Sequence, residues 1–105
     1  MSEKITRGSG NVFEDLGFDN PEEYQAKAEL ALQIITIIAD RALTQKEAAT
    51  LIGATQPDIS KLKRGQLKGF TLDRLFSFLL RLNRNIQIRV TKAKGKSGKL
   101  ETVAA

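Results

Sequence analysis

Residues 45–64 read QKEAATLIGATQPDISKLKR, and four positions within this stretch decide how the chain folds. Ala49 is small and sits midway along a first short helix, where a second helix can cross closely. Gly53 falls where that helix should end, and glycine takes a left-handed conformation at little steric cost. Ile59 and Leu62 lie three apart on one face of a second helix, where both can anchor it to a core.

The start of each helix carries its own signal. Thr44 followed three residues later by Glu47 forms a capping box, which begins the first helix at Gln45. Thr55 and Asp58 repeat the pattern, and Pro57 is tolerated in the first turn because no intrahelical donor is lost there. One such match means little. Two of them flanking a single glycine, with apolar anchors behind, specify two short helices joined by a tight turn. That unit is the helix-turn-helix, which DNA readers place in the major groove.

Outward from the motif, residues 1–19 read as an irregular arm. Gly8, Gly10 and Gly17 interrupt any periodicity, while Val12, Phe13, Leu16 and Phe18 are candidates to dock on the body. Asn20, Pro21, Glu22 and Glu23 read as cap, first-position proline and acids at the positive end of a helix dipole. A long helix should run from there to about Arg41, with Tyr24, Ala28, Ala31, Leu32, Ile35, Ile38 and Ala39 on its face. The β-branched run Ile34–Ile38 is also compatible with a strand, but its flanks favour helix.

Beyond the motif, Gly65 and Gly69 bracket a loop, and Thr71 caps a fourth helix. Leu72, Leu75, Phe76, Leu79, Leu80 and Leu82 give that helix a wide apolar face, read as a partner for the long helix. Asn83 and Asn85 read as turn residues. Ile86 to Thr91 then alternates strictly and predicts a strand. A lone strand cannot satisfy its own backbone, so its expected partner is its copy in a homodimer, through Ile86, Ile88 and Val90, or a strand of another protein. From Lys92 the chain is basic and glycine-containing, and reads as flexible. The expected organisation is an arm (1–19), a helix-turn-helix domain (20–84), a dimerisation strand (85–91) and a basic flexible tail (92–105). The fold class is mainly α, a small helical bundle with one C-terminal strand.

Composition narrows the function. The chain has 105 residues, 41% apolar and 28% charged, which suits one modest soluble domain. It contains no cysteine and no histidine. Zinc, thiolate and imidazole chemistry are therefore not expected, and no cofactor is implied. No paired carboxylates or glycine-rich phosphate loop suggest an enzyme. With no signal-peptide pattern and no membrane-spanning run, the expected compartment is the cytoplasm. Charge is unevenly placed. Residues 1–40 hold three Lys/Arg against eight Asp/Glu, a net −5, whereas residues 41–105 hold fourteen against four, a net +10. The basic half contains the motif, and clustered positive charge attracts phosphate through counterion release.

With the second helix of the motif in a major groove, Gln56 is best placed to reach a base edge, where its amide can pair with N6 and N7 of adenine. Ser60 lies one turn on, and Lys61 can reach a guanine or a phosphate. Gln45, at the start of the other helix, suits a phosphate. Lys46, Thr55, Lys63, Arg64 and Lys68 are the remaining candidate phosphate contacts. Asp58 reads as a cap.

The run LTQKEAATLIGATQPDISKLKRGQLKGFTLDRL resembles the Xre-type, Cro/repressor-like helix-turn-helix family. More narrowly, GSGNVFEDLGFDNPEEYQAKAEL, the TQPDISKLKRG core and NRNIQIRV at Asn83–Val90 are similar to HigA-type antitoxins of bacterial toxin–antitoxin modules. This resemblance implies an all-helical dimer with an added terminal strand. It also implies binding to an inverted-repeat operator in its own promoter and neutralisation of a small, basic, mRNA-cleaving toxin. Under that reading the acidic half, including Glu14, Asp15, Asp19, Glu22, Glu23 and Glu29, would face the toxin. Two other readings stand beside it: a stand-alone Xre-type repressor, and an RNA-binding or protein-interaction module. Few aromatic residues are available for base stacking, which counts against single-stranded RNA.

Overall fold

Three threonines and one proline place the helix starts. In the computed structural model, which describes residues 21–103, the helices are α1 (Pro21–Asp40), α2 (Gln45–Ile52), α3 (Gln56–Arg64) and α4 (Leu72–Arg81). The Thr44 and Thr71 hydroxyls accept from the backbone N–H of Glu47 and Arg74, at 3.0 and 3.1 Å. Thr55 does the same for α3. Each hydroxyl meets a donor that the first helical turn would otherwise leave unpaired. The expected arm, with its Asn20 cap, lies outside the described residues.

α1 packs on α3 and α4, while α2 packs on α3 and α4. Ile34, Ile52, Ile59, Leu75 and Leu79, one or two from each helix, are fully buried, together with Leu67, Phe70 and Leu82 from the connections. Phe70 meets Phe78 edge-on, with ring centroids 6.2 Å apart. At the far end of the bundle Arg41 Nη2 donates to the Leu82 carbonyl at 2.7 Å, tying the close of α1 to the close of α4.

The β-branched run of α1 is helical, and its buried positions explain why. Ile34, Ile37 and Ile38 all point into the core, the i, i+3, i+4 pattern of a buried helical stripe. The face expected from periodicity is partly rotated: Leu32 is 67% exposed and Ala39 is also exposed. Ala26, Leu30 and Ile37 are buried instead. With isoleucines on adjacent faces, spacing alone does not choose between two overlapping stripes.

The predicted C-terminal strand does not form. Among the described residues there is no β-strand, and residues 84–93 run as irregular chain. Of the three residues assigned to dimerisation, Ile86 packs against the chain's own core, whereas Ile88 and Val90 are 75% and 91% exposed. The cause is the one that made a partner necessary in the first place. A single extended segment has no ladder to join, so alternation of apolar and polar residues does not by itself make a strand. Here the alternation lets one residue, Ile86, dock while its neighbours stay in water.

The chain then turns back to α1. The Leu100 amide donates to Glu22 Oε1 at 3.4 Å, and the Thr102 hydroxyl donates to Glu29 Oε1.

Candidate nucleic-acid interface

The two caps of the helix-turn-helix are reciprocal. Thr44 N–H donates to Glu47 Oε1 at 2.9 Å and Glu47 N–H returns the bond at 3.0 Å. Thr55 and Asp58 do the same, both at 3.1 Å. Between the helices Gly53 has φ 76° and ψ 36°, and its N–H bonds the Ala49 carbonyl. This is the left-handed turn that only glycine adopts without strain. Ala49, Ile59 and Leu62 are all buried, so the crossing and the two anchors expected from sequence are in place.

With that face inward, the opposite face of α3 is exposed. Gln56 lies in water at its N-terminus, and Lys61, Lys63 and Arg64 are exposed along its length. The three cations of the last turn also suit the negative end of the α3 dipole. Ser60 is half-buried because Gln45 reaches it: the Gln45 Nε2 donates to Ser60 Oγ at 3.2 Å. A candidate phosphate contact and a candidate base reader are therefore one linked unit. Lys46 and Thr55 are exposed near the helix starts, and Lys68 is exposed in the loop after α3. The Thr55 oxygen is engaged by the Asp58 amide.

Two contributors were not visible in the sequence. Arg74, from the first turn of α4, donates to Asp58 Oδ2 at 3.0 Å. Its guanidinium also lies 5.0 Å from the Phe70 ring centre and 5.3 Å from that of Phe78. The Asp58 carboxyl is held below its ordinary value chiefly by the Thr55 backbone N–H; burial opposes this, and the Thr55 hydroxyl and Arg74 add to the lowering. Asp58 is thus a committed, ionised cap. The second contributor is Tyr24, whose hydroxyl donates to the Gly65 carbonyl at 3.1 Å. It ties α1 to the end of α3 beside a shallow depression of about 410 Å³ that also carries Lys61 and Lys68 on its rim. These pairs are 16 and 41 residues apart in sequence, so no local spacing signals them.

Among the described residues no group of acidic side chains is arranged to hold a metal ion, and no helix is long and apolar enough to cross a membrane.

Comparison with known proteins agrees with this geometry. Residues 12–91 match the helix-turn-helix domain family. A solved structure described as an XRE family transcriptional regulator is similar, with a TM-score of 0.74 and 32% sequence identity. The match covers 81% of this chain and 98% of that one. No curated protein matches the chain.

Proposed function

This chain belongs to the helix-turn-helix domain family and to the XRE family of transcriptional regulators, and on that premise we propose that it is a sequence-specific DNA-binding repressor serving as a HigA-like antitoxin. In this role a homodimer binds an inverted repeat at its own promoter, and the same protein neutralises a small basic mRNA-cleaving toxin.

One observation carries the DNA reading: α3 is anchored by Ile59 and Leu62 while its outer face presents Gln56, Lys61, Lys63 and Arg64. Gln56, at the start of α3, reads a base edge, with adenine as the best match to its amide. Ser60 reads the next turn. Its oxygen already accepts from Gln45, which leaves its own proton to donate to a base acceptor. Lys61 reaches a guanine or a phosphate. Gln45, Lys46, Thr55, Lys63, Arg64 and Lys68 hold the backbone and set register without reading sequence. In a two-fold dimer the half-sites lie about one helical turn, roughly 34–36 Å, apart.

The antitoxin part rests on the resemblance and on the acid carried by α1, where Glu22, Glu23 and Glu29 line the helix start. Glu14, Asp15 and Asp19 of the same acidic half lie outside the described residues. The deciding experiment has two arms. Purified protein is titrated onto DNA from upstream of its own gene and onto a random duplex at several salt concentrations. The product of the adjacent gene is then assayed for mRNA cleavage with and without this protein. Specific, salt-steep binding with no effect on any neighbouring product would leave a stand-alone repressor. Equal, weak binding to both duplexes would defeat the repressor reading.

A further inference from the structure

The segment that follows α4 returns to the first turns of α1 and lies on its acid. The Leu100 amide bonds Glu22 and the Thr102 hydroxyl bonds Glu29. These glutamates are seven residues apart and so share one stripe of the helix. Ala26 stands between them on that stripe. It is 3% exposed yet lies outside the core cluster, and a methyl group there leaves room for a passing main chain. The segment is basic, with Lys92, Lys94, Lys96 and Lys99 leading into the contact.

We infer that the Glu22–Ala26–Glu29 stripe is a docking strip for an extended, lysine-rich segment of a partner protein, and that residues 99–103 occupy it in cis as a stand-in which the partner displaces. This rests on the reading of α1 as the face toward a basic partner, and it names what that face accepts. The occupant presents an extended backbone with an N–H and a hydroxyl two residues apart, led in by lysines. Carboxylates make the stronger, charge-assisted bonds to such donors. Both bonds lie near the surface, so the cis contact is weak and depends on its high effective concentration. A partner that adds contacts of its own outcompetes it.

The test uses the full chain and a peptide of residues 92–105, KAKGKSGKLETVAA, as probe. At low salt the peptide is titrated into isotope-labelled protein and followed by amide shifts at Glu22, Ala26 and Glu29. Three proteins are compared: the natural chain, L100D/T102A, and L100D/T102A with E22Q/E29Q added. All four changes are at or near the surface, and unchanged core amide signals verify the fold. With the stand-in disabled, the strip should bind the peptide about tenfold more tightly than the natural chain does, and the glutamine pair should abolish binding. Equal binding by the natural chain and the double variant, no binding by the double variant, or binding that survives E22Q/E29Q would each overturn the inference. The outcome is separable from the antitoxin reading because the probe is the chain's own segment. Peptide docking without toxin neutralisation would retire the antitoxin role alone. Neutralisation without peptide docking would retire the strip alone.

Discussion

The side-chain amide of Gln45 donates to the hydroxyl of Ser60 across 3.2 Å, joining the first residue of α2 to the middle of α3. A side chain suited to a phosphate thus also orients one suited to a base. Removing either partner should therefore weaken operator binding by more than its own contact. In a double-mutant cycle of Gln45→Ala and Ser60→Ala, the two losses should be non-additive by about 0.5–1.5 kcal/mol. Strict additivity, measured by operator titration, would mean the bond has no part in recognition.

Gln56 and the cations further along α3 should respond differently to DNA sequence. Gln56→Ala is expected to cost about 1–3 kcal/mol on the operator and to relax preference at one base pair. Lys63→Ala or Arg64→Ala should weaken operator and random DNA alike and reduce the salt slope by about one. Equal losses on both duplexes for the Gln56 variant would remove it as a reader.

Gly53 faces two constraints, and their sizes differ. A β-carbon there would lie 2.9 Å from Arg81 Nη1, but that atom is the free end of a long side chain and can swing away. The φ of 76° cannot be relieved so easily. Gly53→Ala should therefore cost about 1 kcal/mol from backbone strain, seen as a fall of about 4–8 °C in Tm. Adding Arg81→Ala should recover little of it. Full recovery would show that the clash dominates.

Asp58 links stability to acid. Its carboxyl is held below the ordinary 3.8 by the Thr55 backbone N–H, the Thr55 hydroxyl and Arg74. The unfolded chain therefore binds its proton at a higher pH than the folded chain does. The stabilisation is complete above the unfolded value and is lost as pH falls through the folded one. The stability gap between the natural chain and Asp58→Asn should be constant above about pH 5 and narrow below 3.8. Denaturant unfolding across that range measures it, and a gap independent of pH would remove the carboxylate's charge from the account.

Arg41 holds the Leu82 carbonyl at 2.7 Å in a partly buried contact. Replacing it by Met keeps much of the stem but removes the donor. A loss of about 1–2 kcal/mol is expected, with DNA affinity per folded molecule unchanged because neither residue belongs to α2 or α3.

The helix-turn-helix was legible because its determinants are local. The Thr44–Glu47 and Thr55–Asp58 boxes and Gly53 act within four residues of themselves, and the two starts fall at Gln45 and Gln56 as the spacing requires. What failed was non-local. Ile86–Thr91 carries the alternation of a strand, but a strand is a property of two segments, and among the described residues no second one is there to pair with it. The Gln45–Ser60, Arg74–Asp58 and Tyr24–Gly65 contacts join residues 15, 16 and 41 positions apart. Each needed the bundle to close before it could be seen. The bonds from Leu100 and Thr102 to Glu22 and Glu29 of α1 were likewise beyond reach of lysine and glycine content, which describes solvation and says nothing of where an acidic neighbour waits.

The bond from Arg41 to Leu82 also bears on synthesis. α1 packs against α3 and α4, and Leu82 is itself fully buried, so the core stays open until the chain has been made past that residue. At about 5–20 residues per second, a nascent chain carries its complete α2 and α3 for a second or more before α4 arrives to seat them. An ordered helix-turn-helix is therefore tied to synthesis through Leu82, and truncated products that stop before that residue should lack one.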